Sequence, residues 1–236
     1  MSEKDKKIKV YLEEKITDYD EILKSFNEEH GVEEQALRNV FNPYILSDAA
    51  ETRSFEAKAK ILVQVILLNQ LYSTGLQQNP TSKKTKEKRK KGKKETISVN
   101  AMTDRIFDNA EKLEEYIKEG NHKAVEIIRD QNSKEYKDVY SFATKYCSFC
   151  NSEKYPMVDQ YVIKMLKGCL GSGLFGEECY KSISDVRKGD LDKNYKAFVK
   201  VHKAFQEYIR KNVESKNLSC KFTDMFLWVC GKKYIE

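Results

Sequence analysis

The chain has little with which to turn corners. Three prolines and ten glycines are spread over 236 residues. A sheet fold needs frequent turns built from such residues, so the sequence points to an all-α protein of long helices and few loops. That length suits one large or two small domains and is enough to bury a core.

Apolar spacing places the helices. Residues 8–29 carry Ile8, Leu12, Ile16, Tyr19, Ile22, Leu23 and Phe26 at mostly helical intervals, with Gly31 as the expected stop. A second helix over 32–41 is halted by Asn42-Pro43. The pattern over 51–76 is the longest. It is apolar nearly all round between Ile61 and Leu68, as in a helix buried at a domain centre. Thr103 reads as an N-cap, with Gly120 as the stop of its helix. Further helices are expected over 122–128, from about Ser133 through Phe149, and over 158–170, 192–213 and 223–230. The glycines between 168 and 176 suggest a flexible connection. The run from Ile61 to Tyr72 is too short for a bilayer, which takes about 20 residues. The charged start Met1–Lys7 has no apolar region behind it, so a cytoplasmic, non-membrane protein is expected.

Charge is concentrated in one place. Residues 83–94 hold nine basic side chains and one acid, more than the chain's net +6, so the rest is slightly acidic. A block of like charge repels itself and resists packing, which predicts a loop over 81–97 between helical parts at 1–80 and 98–236. Lys83, Lys84, Lys88, Arg89, Lys90 and Lys91 would release counterions from a phosphate backbone, or simply keep the loop solvated. The run has no aromatic residue of the kind single-strand binders stack on bases.

Other chemistry is sparse. Cys147 and Cys150 have zinc-ligand spacing, but no second pair follows. They share an apolar stripe with Phe142 and Tyr146 and read as small buried hydrophobes. No metal or cofactor is called for. His30, His122 and His202 fall on separate segments and read as surface or packing residues. Gly171-Ser172-Gly173-Leu174-Phe175-Gly176 fits a dinucleotide fingerprint but follows a helix rather than a strand.

Two segments hold more than packing requires. In Ile66-Leu67-Leu68-Asn69-Gln70-Leu71-Tyr72 an apolar helix runs into amides. In Tyr155-Pro156-Met157-Val158-Asp159-Gln160-Tyr161-Val162 a proline-fixed turn delivers a carboxylate to the head of a helix. Asp159 reads as an N-cap, or as a catalytic carboxylate if a cavity adjoins it.

The order of these segments resembles the helix-hairpin-helix DNA glycosylase superfamily, most closely its 8-oxoguanine-glycosylase-related bacterial branch. The resemblance loosely covers residues 51–165. It implies an orthogonal helical bundle, as one compact unit or two lobes with a cleft. It also implies a monofunctional N-glycosylase that flips a modified or damaged base from DNA. Asn69 or Gln70 would fill the gap, and Asp159 would act on the sugar. Tyr146 and Tyr161 would stack on base or sugar, or pack the core. The family's hairpin is normally rich in glycine, whereas none lies between Gly120 and Gly168 here. Tyr161 stands where the family usually has histidine. A lysine nucleophile would fall near Lys137–Tyr140 or at Lys145, and either lysine also reads as solvated. The stretch from Ser141 to Asp159, with Phe226-Leu227-Trp228, also resembles uncharacterised bacterial proteins, some associated with phage defence, which implies defence-system partner proteins. Two other readings stand beside the enzyme: a non-catalytic nucleic-acid binder on the same fold, and a defence-complex subunit without DNA affinity.

Overall fold

The computed structural model describes residues 2–41, 44–77, 94–133, 136–215 and 218–235. Its described residues are helical, with two isolated parallel bridges, Gln77 to Ser98 and Glu95 to Tyr136. The all-α reading holds. The chain divides into two units, one of residues 1–32 with 152–236 and one of 33–151.

The first unit holds α1 (Glu3–Lys15), a 3₁₀ turn (Ile16–Asp18) and the start of α2 (Tyr19–Val40). The later helices α9 (Gln160–Ser172), α10 (Gly176–Ser182), α11 (Tyr195–Asn212) and α12 (Cys220–Ile235) complete it. Ser2 begins α1 through a capping box with Asp5. Asp5 is itself buried, which alone would raise its carboxyl pKa. Hydrogen bonds from Lys188 Nζ at 2.5 Å and from Ser2 outweigh that and hold it below the usual value.

Helix α9 packs against α1, α11 and α12. Its glycines do not form a flexible connection: Gly168 and Gly171 lie inside α9, and the helix ends at Gly173 with φ 67°. A Cβ on Gly168 would sit 2.5 Å from Ile8 Cγ2, and one on Gly171 would sit 2.4 Å from the Asp5 carboxylate. These glycines are close-approach positions: a side chain at Gly168 would displace Ile8, and one at Gly171 would displace the Asp5–Lys188 pair. Gly231 does the same from α12, where a Cβ would lie 2.7 Å from the Tyr161 carbonyl oxygen.

The second unit holds the rest of α2, α3 (Tyr44–Thr52), α4 (Phe55–Tyr72), α5 (Val99–Asp108), α6 (Ala110–Glu119), α7 (Lys123–Arg129) and α8 (Tyr140–Cys150). The sequence signals misplace several ends. Helix α2 continues through Gly31, because nothing crowds that position and Leu37 beyond it is buried. Helix α5 is capped by Ser98, which accepts the Ala101 N–H. Thr103 sits inside that helix, its hydroxyl donating to the Val99 carbonyl at 2.9 Å. Helix α8 starts at Tyr140 rather than Ser133. Before it, Asp138 is taken by a bidentate pair with buried Arg129, at 2.7 and 2.5 Å, and the Lys137 N–H donates to Glu95.

Helix α4 is not enclosed on all sides. Ala57, Ile61, Val65 and Leu68 are fully buried, while Phe55, Val63, Ile66 and Leu71 are exposed. No helix among the described residues is long and apolar enough to cross a membrane.

The close approach at Gly231 makes a prediction. In Gly231→Ala the new methyl meets backbone, which cannot swing aside, and the overlap outweighs the ~1 kcal/mol that alanine gains over glycine in a helix. Chemical unfolding should show a net loss of about 1–2 kcal/mol. Gly189→Ala, with open space around it, should stay within about 0.5 kcal/mol.

Candidate functional site

The turn before α9 is unusual because it is a loop and yet buried. Tyr155, Pro156, Met157 and Val158 are all buried. Buried backbone must find partners within the protein. The Met157 N–H donates to Asp224 Oδ2 at 2.7 Å, and the Pro156 carbonyl accepts from the Tyr195 hydroxyl at 3.0 Å. The Tyr155 ring lies nearly parallel to that of Tyr195, 6.4 Å away. At the end of this turn the chain reaches partial exposure at Asp159. Asp159 caps α9, with Oδ1 accepting the Tyr161 N–H at 2.9 Å. The Tyr161 ring meets Trp228 edge-on at 5.8 Å, and Trp228 also meets Phe26 and His30.

Behind the turn lies a pair whose partnership the sequence reading missed. Asp224 and His202 are both almost wholly buried, and His202 Nε2 is 2.9 Å from Asp224 Oδ1. The distance is that of an ion pair. The two atoms are not aligned as a hydrogen bond, and His202 Nδ1 has no hydrogen-bond partner. A signal for this was present, since Asp224 shares a helical face with Leu227 and Gly231, where a charge is out of place.

In the second unit, the polar residues at the end of α4 turn inward. Asn69 is committed to its own chain. Its Nδ2 donates to the Leu76 carbonyl at 3.1 Å, and its Oδ1 accepts from Leu76 N and Thr74 Oγ1, each at 2.9 Å. These bonds fold the chain back after Ser73, a left-handed residue with φ 46°. Gln77 then exchanges backbone hydrogen bonds with Ile97 and Val99. Gln70 is exposed. Tyr146 is fully buried, its hydroxyl donating to Gln64 at 2.7 Å and its ring against Phe41, so its place is the core. Burial pushes its phenol pKa well up.

Lys145 is buried rather than solvated. Its Nζ donates to Ser141 at 2.7 Å and lies 5.5 Å from the centre of the Tyr72 ring. The Tyr72 hydroxyl donates to buried Glu34, and burial and that carboxylate raise its pKa. Lys137 is exposed. Cys147 is buried as a small hydrophobe and its thiol pKa is pushed well up, while burial lifts that of Cys150 to about 12. Among the described residues, no three His, Cys, Asp or Glu side chains gather as metal ligands. Lys83, Lys84, Lys88, Arg89, Lys90 and Lys91 lie outside the described residues.

Residues 11–154 match the model of the HI_0787_N family, described as an N-terminal domain. The chain belongs to the HI_0787_N family. An uncharacterised protein of Haemophilus influenzae is 32% identical over 126 residues, which cover 51% of this chain and 51% of that protein. The match thus spans about half the length of the curated relative. No solved structure matches the chain. The HI_0787_N match takes in Asn69, Gln70, Lys145 and Tyr146 and stops before Asp159 and Tyr161.

Two substitutions separate the roles at the end of α4. Asn69→Ala removes both ends of a clamp and should cost about 1–3 kcal/mol in thermal or chemical unfolding. Gln70→Ala should stay within about 0.5 kcal/mol. At the core pair, Tyr146→Phe leaves the Gln64 carbonyl oxygen without its donor, a loss of about 1–3 kcal/mol. The double variant Gln64→Leu/Tyr146→Phe should not recover that loss, since the Val40 carbonyl then loses the Gln64 amide as its donor.

Proposed function

We propose that this HI_0787_N protein acts on DNA as a monofunctional N-glycosylase, with Asp159 as the working carboxylate. The observation carrying the reading is the setting of Asp159. It is a partly exposed carboxylate at a helix head, delivered by a buried turn whose backbone is tied to two other helices. Such a group is held in one place while remaining within reach of a ligand.

The chemistry follows from the bond to be broken. The target base leaves the stack at a cost of about a few kcal/mol and enters a pocket. Cleavage of the N-glycosidic bond builds positive charge on the sugar, and a fixed carboxylate stabilises that charge or orients the attacking water. Tyr161, two residues after Asp159 in the first turn of α9, offers a ring to the sugar or base. Gln70, exposed at the end of α4, or its neighbour Asn69, which also holds its own turn, would fill the vacated stack. The lysines of 83–94 would hold the backbone through counterion release.

The commitment of Asn69 and Tyr146 to structure favours a second reading, a non-catalytic nucleic-acid binder. The two part cleanly in an assay of abasic-site formation on duplexes carrying single modified bases. The enzyme reading predicts base release that drops by at least about 100-fold in Asp159→Asn, the scale of losing one charge-stabilising group. Equal activity in the two proteins removes Asp159 from the mechanism. Salt-dependent binding that weakens on deletion of 83–94, with no base released, supports the binder. Borohydride trapping should yield no covalent adduct through Lys145, which is enclosed by Ser141 and Tyr72.

A further inference from the structure

We infer that His202 and Asp224 are a positioning pair that sets the orientation of the Asp159 carboxylate through the buried turn. The inference rests on the reading of Asp159 as a working group.

Packing alone does not explain His202. It is fully buried beside Phe198, and neither ring nitrogen has an aligned hydrogen bond. An unbonded polar atom in the interior is a penalty that leucine or phenylalanine would avoid. What the imidazole has is Asp224, 2.9 Å from Nε2. Asp224 is equally out of place as a core residue. A carboxylate at that depth is stable only with a counter-charge or donors around it.

Its two oxygens divide the work. Oδ2 takes the Met157 N–H, and Oδ1 faces His202. The imidazole therefore fixes the rotation of the carboxylate that holds the turn. Tyr195, on the same helix as His202, ties down the next carbonyl, that of Pro156. Two residues after Met157 the chain reaches Asp159, whose Oδ1 is held by the Tyr161 N–H. The linkage runs from α11 through α12 into the turn and ends at the head of α9. Gly231, on the same face of α12 as Asp224, leaves no room for a side chain against the Tyr161 carbonyl and closes the arrangement from the other side.

The test reads the amide exchange of Met157 and Tyr161 by NMR in the full chain, beside single-turnover base release and affinity for the same duplex. Asp224→Ala removes the acceptor of a buried hydrogen bond and should speed exchange at Met157 by at least about tenfold. His202→Leu, which frees the carboxylate to rotate, should speed exchange at Met157 too, and both variants should speed it at Tyr161. Base release should slow with affinity unchanged. Asp224→Asn, which keeps an oxygen for Met157, should restore protection at Met157. If Asp224→Ala does not fold, His202→Leu and Asp224→Asn carry the test. Wild-type exchange at Tyr161 in a folded His202→Leu protein overturns the inference, and so does an unchanged rate of base release. Failure of the Asp159 reading looks different: Asp159→Asn then keeps the wild-type rate, while the exchange data still report whether the pair sets the turn.

Discussion

The first unit depends on helices approaching more closely than side chains allow. Gly168 admits Ile8 of α1, Gly171 admits the Asp5 carboxylate, and Gly231 of α12 lies against the Tyr161 backbone. The nearest atom a methyl would meet lies at 2.3 to 2.7 Å at each of these. Dense packing converts such contacts into fixed geometry, because interiors have little space into which a displaced helix can relax. The position of α9 follows from them, and the head of α9 is where Asp159 sits. The buried turn before it follows in the same way. A helix pinned on two sides leaves its incoming loop little room on the surface, and a loop forced inside needs internal partners for its amides and carbonyls. Asp224 and Tyr195 are those partners.

The second unit solves a related problem with polar groups rather than glycines. Helix α4 is so apolar that its sequence alone does not say which side faces inward. Gln64 resolves this by bonding to the Val40 carbonyl and the Tyr146 hydroxyl, an arrangement that only one rotation of the helix satisfies. Lys145 with Ser141, and Tyr72 with Glu34, fix the far end of the same seam. Phe55, Val63, Ile66 and Leu71 then fall on the outside.

Periodicity and capping chemistry made much of this legible. The scarcity of proline and glycine gave the helical class, and Asp159 was readable as a cap because a proline-fixed turn precedes it. Where reading failed, a residue type had two physical uses. Gly31 resembles a helix stop and Gly168 part of a flexible connection, yet one sits in open space inside a helix and the other makes room for a neighbour. Thr103 has the chemistry of a cap and instead bonds back within its helix. Lys145 looks solvated until its helix is seen to bury that face. The amides at the end of α4 were legible, but the bonds of Asn69 to Thr74 and Leu76 were not. The partnership of His202 and Asp224 joins residues on different helices, which no local pattern records. The HI_0787_N match ends before Asp159.

In this account a fixed carboxylate at the head of α9 meets a sugar that becomes positively charged as its base departs. The most direct test compares two duplexes, one with a cationic pyrrolidine in place of an abasic sugar and one with the neutral tetrahydrofuran analogue. A site built for the cation should bind the pyrrolidine duplex at least about tenfold more tightly, as transition-state mimics do, and Asp159→Asn should erase that preference while leaving the neutral duplex unaffected. Equal affinity for the two duplexes in the wild-type protein would contradict the account.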